Sequence, residues 1–478
     1  MQNAKAINKG KDLPGSWNVV LDLWRAEREG VAGLMQRQNV RLADLLVHAR
    51  GASRFYRRLY SSRPSGLIRL GDLPVVNKRE LMSAFDDWVT DPGVKRAGIE
   101  AFIADPSRIA TPYRGEFFIC TSAGTTGHPG IFVYDRDAIE VYRAINTARV
   151  ARAWLGAGDF FLMAQRGFRW ACVLGTGGHY VGAGWIELER QRDTLRAAAF
   201  RVFSAQHPLA ELAASLNTFD PAMLTGYPSA LELLAEEQAA GRLALRPVIL
   251  ECGGETLSPE VQARLEAVFG CRVCNVYSAS ECLPMAFSCG HGWLHVNSDW
   301  IILEPVDEDF QPTPPGAFSH TVLLTNLANR IQPLIRCDLG DSVFVRPEPC
   351  PCRSPLPAIR VAGRRDDVLH LTAADGRTVK ILPLAISCVV DETPGVHRSQ
   401  LIQTGPSEIR IRLDLKANCD CEYTWRNAIA NLDDYLTEQH LANVTVVRAS
   451  EPPEVRAPHW KFRQVIARLP GTGPQAPQ

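Results

Sequence analysis

Apolar residues from Ser16 to about Arg50 recur at three- and four-residue spacings, Trp17, Val20, Leu21 and Trp24 first and Leu42, Leu45 and Leu46 later. That period predicts helix, with these side chains as core contacts. Phe55-Tyr56-Arg57-Arg58-Leu59 continues it, and Leu73 to Val76 reads as an extended piece ending at Asn77, a helix cap. Two short apolar runs, Phe117 to Cys120 and Ile131 to Tyr134, flank a glycine- and threonine-rich stretch and read as strands. Asp135 to Val150 follows as a helix and Phe160 to Ala164 as a buried strand. A repeating grammar then sets in. Ala222 to Thr225 is a strand, Tyr227-Pro228 a turn, and Ser229 the cap of a helix carrying Leu231, Leu233, Leu234 and Ala235. Pro247 to Leu250 is the next strand, with Ser258 as cap and Pro259 opening a helix whose stripe is Val261, Leu265, Val268 and Phe269. Arg272 to Val276 is a third strand, followed by Tyr277 to Glu281 as a loop. Strands alternating with helices predict a parallel sheet with helical crossovers, and ligands in such sheets sit beyond the carboxyl ends of the strands.

After Asp367 the pattern changes. Glu408 to Leu415 alternates strictly, Trp425, Ile429, Leu432 and Leu436 mark a helix, and Val444 to Val447 is a strand. The expected class is α/β, a large N-terminal domain of mixed and parallel sheets with helices, joined to a small mobile α+β C-terminal domain. The boundaries fall at 1–363 for the large domain, 364–367 for a hinge, 368–469 for the small lid domain and 470–478 for a disordered Pro- and Gly-rich tail.

Composition narrows the function. The chain has 478 residues, 46% hydrophobic and 22% charged, with no formal net charge, and no basic run interleaved with aromatics, so nucleic acid is excluded as a partner. The start of the chain has no apolar signal core, and no apolar run is long enough to cross a bilayer, so no membrane partner and a cytoplasmic location are expected. Thirteen cysteines in such a chain read as thiols or metal ligands.

The candidate chemistry centres on Thr121-Ser122-Ala123-Gly124-Thr125-Thr126-Gly127-His128-Pro129-Gly130. Glycines free its backbone, and amides and hydroxyls converging on one point make a nest for a phosphate. On composition alone, an ordinary hairpin loop is an equal reading. It lacks the Lys-Ser/Thr that closes a P-loop. Phe168, Arg169 and Trp170, followed by Gly175 to Tyr180 with Gly177 and Gly178, can wall a small apolar cavity with Arg169 as its polar anchor. Close packing of a helix on glycine is the competing reading. Gly253-Gly254-Glu255 and the 277–281 loop fall at carboxyl ends of strands, and Asp341 and the Gly363-to-Asp367 charges close two further stretches. Cys289 and His295 stand near Cys350-Pro351-Cys352, whose spacing lets both sulfurs face one metal; His291 competes, and Cys419 and Cys421 lack an evident partner pair.

In this order the stretches resemble the adenylate-forming ligases, specifically the phenylacetate–coenzyme A ligase branch. The resemblance rests on Thr121 to Gly130, Thr176 to Tyr180, Gly253 to Glu255, Tyr277 to Glu281, Pro333 to Asp341, Gly363 to Asp367 and Trp460 to Ile466. It implies that a carboxylate attacks the α-phosphate of ATP, giving an acyl-adenylate, and that the thiol of coenzyme A then displaces AMP. It also implies roles. Ser122, Gly124, Thr125, Thr126 and Gly127 would hold the departing phosphates, with Thr126 counted as catalytic, and Glu281 would face Mg²⁺. Gly253, Gly254, Glu255, Ser278 and Ser280 would complete the nucleotide site, with Tyr277 stacking on adenine, Asp341 accepting from the ribose hydroxyls and Arg364 near the nucleotide. Lys461 would bridge the attacking carboxylate and the phosphate, and Asp366 would be the hinge. Phe168, Trp170, Tyr180 and Tyr227 would wall a pocket for a compact, aromatic acid. Cys289, His295, Cys350 and Cys352 would hold a structural zinc.

Two departures widen the acceptor question. His128 stands where the family has lysine, and Ala373 to Thr378 lacks the usual sequence after the hinge. An amine, or the phosphopantetheine of an acyl carrier protein, is therefore an alternative to coenzyme A, and a degenerate nucleotide-binding member is a third reading. A monomer or homodimer is expected.

Overall fold

The computed structural model describes residues 15–61, 69–122, 130–255, 257, 259–362, 369–381, 383–416, 419–453 and 465–467. Its largest element is a nine-stranded sheet. Trp170–Leu174, Phe200–Ser204, Met223–Gly226, Ile249–Gly253 and Arg272–Ala279 form its parallel part. The parallel pairing of the strands joined by helical crossovers is as predicted; Cys282–Ser288 and Leu294–Val296, joined by short turns, then extend the sheet antiparallel.

The two faces of the parallel part differ. Ala171, Val173, Leu224, Leu250 and Cys252 point one way, into a cluster with the Leu209–Phe219 and Pro228–Ala239 helices. Cys172, Thr225 and Glu251, in register across three strands, point the other way, towards the Val181–Arg190 helix and the N-terminal body.

A four-stranded sheet of Val76–Asn77, Leu334–Asp338, Thr321–Asn326 and Ile301–Val306 packs beside it, and the Phe118–Thr121 and Ile131–Tyr134 strands form the predicted antiparallel hairpin. Near the C-terminus, a second four-stranded sheet contains Glu408–Leu415, the strand read from strict alternation. Leu432 and Leu436 of the Cys421–Glu438 helix are buried there, each side chain contributing about 2 kcal/mol.

Asn77 caps the Lys78–Ser83 helix as expected: its side chain accepts from the Glu80 amide while the Glu80 carboxylate accepts from the Asn77 amide. This capping box fixes where Lys78 starts the helix. Arg149, 1% exposed, would be costly to bury alone. It donates to Asp299 at 2.7 Å, Glu27 at 2.9 Å and Asn297 at 3.2 Å, tying the first helix to the sheets.

Four readings need correction. Phe160 to Ala164 is not a strand but part of the Ala157–Gln165 helix, started by the Asp159 carboxylate accepting from the Gly156 amide at 2.9 Å. Its Phe160, Phe161 and Leu162 are exposed, and the buried strand comes later, at Trp170. Ser229 is not a cap: Tyr227 precedes the helix, Pro228 opens it, and Ser229 lies inside its first turn. Tyr277 and Ser278 are not in a loop, because the strand runs on to Ala279 and turns at Ser280–Glu281. Trp17 is 49% exposed and so is not the buried core residue expected. No helix among the described residues is long and apolar enough to cross a membrane.

Candidate active site

The glycine-rich loop springs from the hairpin Phe118–Thr121/Ile131–Tyr134, and its neck is closed by two bonds. Ser122 N–H donates to the Gly130 carbonyl at 2.9 Å, and Gly130 N–H donates to Ser122 Oγ at 2.7 Å. Gly124, Thr125, Thr126, Gly127 and His128 lie outside the described residues, as do Arg364, Asp366 and Lys461.

Other segments meet at that neck. Thr121 N–H donates to the His179 carbonyl at 2.8 Å, which ties the Gly175-to-Tyr180 turn to the hairpin. Ser280 Oγ donates to the Thr121 carbonyl at 3.3 Å, and the Ser280 carbonyl accepts from the Tyr134 hydroxyl. Ser280 is thus held from both sides. Glu281, the next residue, is 6% exposed, and its Oε1 lies 2.7 Å from Lys78 Nζ. Sequence reasoning assigned Lys78 no role, since only the fold brings it to Glu281.

Asp341 follows Gly340, whose φ of 72° makes the turn, and the Gly340 amide is pinned by Asp338 Oδ1 at 2.9 Å. Tyr277 Oη donates to Asp341 Oδ2 at 2.8 Å, so these two predicted nucleotide residues are in contact. Gly254 has φ 79°, and a Cβ there would stand 2.9 Å from the Tyr227 ring, so this turn requires glycine. A Cβ on Gly253 would meet Val276 at 3.0 Å. Glu255 accepts from Ser229 N–H at 3.1 Å and Ser229 Oγ at 2.9 Å, placing its carboxylate at a helix N-terminus, where negative charge is favoured.

The proposed pocket residues divide. Trp170, Tyr227 and the Gly177–Gly178 turn belong to the same face or carboxyl edge of the sheet. Tyr227 Oη accepts from the Gly175 amide at 3.3 Å, and Tyr180 Oη donates to Glu392 Oε1 at 3.0 Å, joining the turn to the C-terminal α+β unit. Phe168 and Arg169 do not join them. They precede the first residue of their strand, at its amino end, where the Phe168 ring packs tilted against Phe160 with centroids 5.1 Å apart. Arg169 donates to Asp220 Oδ2 at 2.7 Å and to its carbonyl at 2.8 Å. A guanidinium so occupied is not the polar anchor expected of it.

Away from this region, Cys289 Sγ, His295 Nε2, Cys350 Sγ and Cys352 Sγ converge, all ligand atoms lying within 4.8 Å of one another. Cys289 and Cys350 sulfurs are 3.7 Å apart. Two thiolates on a tetrahedral zinc, each at about 2.3 Å, would stand roughly 3.8 Å apart, so the spacing fits that ion. His295 Nδ1 sits 3.0 Å from the Leu356 carbonyl, which would fix the tautomer that leaves Nε2 free to ligate. His291 is exposed, and His295, 1% exposed, is the histidine of the cluster.

Residues 105–301 match the family model described as AMP-binding enzyme. Among curated proteins, the chain is similar to a phenylacetate–coenzyme A ligase of Thermus thermophilus, 24% identical over 372 residues that span 75% of each chain. Among solved structures, it is similar to 2-hydroxyisobutyryl-CoA ligase in the postadenylation state in complex with 2-HIB-AMP. That match has a TM-score of 0.54 and 22% identity, covering 98% of this chain and 95% of that one. An open conformation of that ligase with 2-HIB-AMP and CoA matches at TM-score 0.52 and 23% identity, covering 91% of each.

Proposed function

We propose that this chain, which carries an AMP-binding enzyme domain on the adenylate-forming fold, activates a compact carboxylic acid with ATP and passes the acyl group to coenzyme A. The observation that carries the proposal is the meeting of three segments at one edge: the neck of the glycine loop, the Ser280–Glu281 turn and the Tyr277–Asp341 pair. In the first step a carboxylate oxygen of the acid attacks the α-phosphorus and pyrophosphate leaves. In the second the thiol sulfur attacks the acyl carbon and AMP leaves.

Phosphoryl transfer needs placement and charge compensation more than covalent help. Ser122 and the loop amides, with Thr125 and Thr126, would hold the departing phosphates. Asp341 would take the ribose hydroxyls, and the Tyr277 hydroxyl that already meets it would orient the carboxylate. Glu281 would direct one oxygen to Mg²⁺ while Lys78 holds the other. Lys461 and Arg364 would add positive charge from the C-terminal part of the chain, with Asp366 as the hinge and 364–367 as the boundary between the two domains. The four-residue Cys/His cluster would hold zinc with no open position, so the ion would stabilise the fold and take no part in the reaction.

The aromatic preference is supported by Trp170 and Tyr227, which pack against the Cys172, Leu174 and Ile186 cluster on one face of the sheet, and by likeness to the phenylacetate–coenzyme A ligase. The test is product analysis by mass spectrometry with ATP, Mg²⁺ and a panel of aryl and alkyl acids, supplying coenzyme A, free amines or a carrier protein in turn. AMP, pyrophosphate and an acyl-coenzyme A thioester are expected. An amide or an acyl-carrier product would reassign the acceptor, and activity confined to long-chain fatty acids would overturn the pocket.

A further inference from the structure

The face of the parallel sheet that looks towards the Val181–Arg190 helix is covered unevenly. On one flank Cys172, Leu174 and Ile186 form an apolar cluster with that helix. On the other, Ile249, Cys274, Met285 and Phe287 join the main core. Between the flanks, Met223, packed at the edge of the main core, and Thr225 of one strand and Glu251 and Gly253 of the next remain half-buried, a partly open strip down two adjacent strands that we read as a groove. Its mouth is at Gly253 and Tyr227, beside the residues of the proposed nucleotide site. Trp170, in register with Met223, forms its far end.

Glu251 stands midway down this otherwise apolar groove. A carboxyl group is costly to bring into such a place and requires partners. Among the described residues no cation pairs with it. Its one donor among the described residues is Thr225, whose hydroxyl reaches Oε2 at 2.9 Å. That hydroxyl has its single proton committed to Glu251, because it accepts from Trp170 Nε1 at 2.7 Å. The chain Trp170 to Thr225 to Glu251 therefore fixes the carboxyl group in orientation, and Oε1 is the oxygen without a donor among the described residues. Burial raises the pKa of the group to about 7, against the lowering effect of the Thr225 bond, consistent with a carboxyl that lacks a resident counter-ion.

Resting on the adenylation reading above, we infer that Glu251 is a specificity-determining residue that selects acids bearing a hydrogen-bond donor, a hydroxyl or amino group, at the end remote from the reacting carboxylate. The dimensions suit a single ring. Glu251 lies two residues below Gly253, about 7 Å at roughly 3.3 Å per residue, close to the span from a benzoate carboxylate to a para substituent. Leaving a buried acceptor unpaired disfavours the analogue without the donor, so selection arises from rejection as much as attraction.

The test is acid-dependent exchange of labelled pyrophosphate into ATP, with benzoate, 4-hydroxybenzoate, 4-aminobenzoate, phenylacetate and its 4-hydroxy and 4-amino derivatives, alongside straight-chain acids. The full-length protein is compared with Glu251→Leu and with Glu251→Gln, which keeps an acceptor and guards against a folding defect. At pH 8, where Glu251 is ionised, the wild type should favour the donor-bearing member of each pair by roughly 10- to 100-fold in kcat/KM, the range for a hydrogen bond to a charged group. Glu251→Leu should cancel or reverse that ratio, and Glu251→Gln should retain part of it. Equal use of paired acids by the wild type, or an unchanged ratio in Glu251→Leu, overturns this inference and leaves adenylation standing. Absence of exchange with every acid overturns the adenylation reading and this one with it.

Discussion

Replacing Lys78 by methionine would leave the Glu281 carboxylate, 6% exposed, without the ammonium now 2.7 Å away. The capping box places Lys78 at the first position of its helix, and Arg79, the next residue, lies about 100° further round it. Removing one partner of a buried ion pair costs about 3–5 kcal/mol, because the survivor keeps its desolvation penalty and loses its compensation. The Lys78 side chain retains 20% of its exposure, which puts this pair at the low end, about 3 kcal/mol. Urea unfolding of the wild type, Lys78→Met, Glu281→Gln and the double variant forms a complete cycle. The double variant, with neither charge left, should recover most of the loss, giving a coupling of about 2 kcal/mol. Additive effects, or a loss under about 1 kcal/mol in Lys78→Met, would refute the view that Glu281 depends on Lys78. Exchange activity should fall with Lys78→Met in step with Glu281 losing its place beside Ser280.

Glu251, raised to about 7 by burial from an ordinary 4.5, keeps its proton in the folded state where the unfolded chain has released it. Its contribution is therefore full below 4.5 and is lost as pH rises towards 7, by up to about 1.4 kcal/mol per unit; Glu251→Gln should flatten that slope in urea midpoints at pH 5 and 8, and parallel slopes would contradict it. Gly254→Ala combines φ 79° with a Cβ 2.9 Å from Tyr227 and should cost about 1–3 kcal/mol, while Gly51→Ala at an open helix position should stabilise by up to about 1 kcal/mol. Tyr277→Phe removes the donor to Asp341 and should raise the KM for ATP by roughly 10-fold, with a smaller change in kcat. Elemental analysis should find one zinc per chain, and Cys352→Ser should lower both the zinc content and the melting temperature; a metal-free wild type of unchanged stability would argue against the site.

Local signals carried much of the fold. The Asn77 cap, the hairpin strands about the glycine loop, the alternating Glu408–Leu415 strand and the helix of Trp425 and Leu432 each follow from nearby residues. The misreadings lie where local signals are silent or ambiguous. A five-residue apolar run such as Phe160 to Ala164 fits a strand or a helix equally, and the Asp159 bond to Gly156 decided for helix. Arg169 looked like a free cation because Asp220 is distant in sequence. The Lys78–Glu281 pair and the Trp170–Thr225–Glu251 chain are products of sheet register and domain packing, which no spacing in the sequence announces. The convergence of Cys289, His295, Cys350 and Cys352 was anticipated from the Cys-x-Cys spacing and from the resemblance to the phenylacetate–coenzyme A ligases, since thirteen cysteines and eleven histidines do not single these four out by type.

The central claim is that the segments gathered at Ser122, Ser280 and Asp341 adenylate a carboxylic acid. Exchange of labelled pyrophosphate into ATP, measured with and without acid in the wild type and in Asp341→Ala, tests it most directly. Acid-dependent exchange in the wild type, reduced at least about 100-fold in the variant as expected for loss of a half-buried charged acceptor, is the predicted result. Cleavage of ATP to ADP, or exchange that ignores both the acid and Asp341, would contradict it.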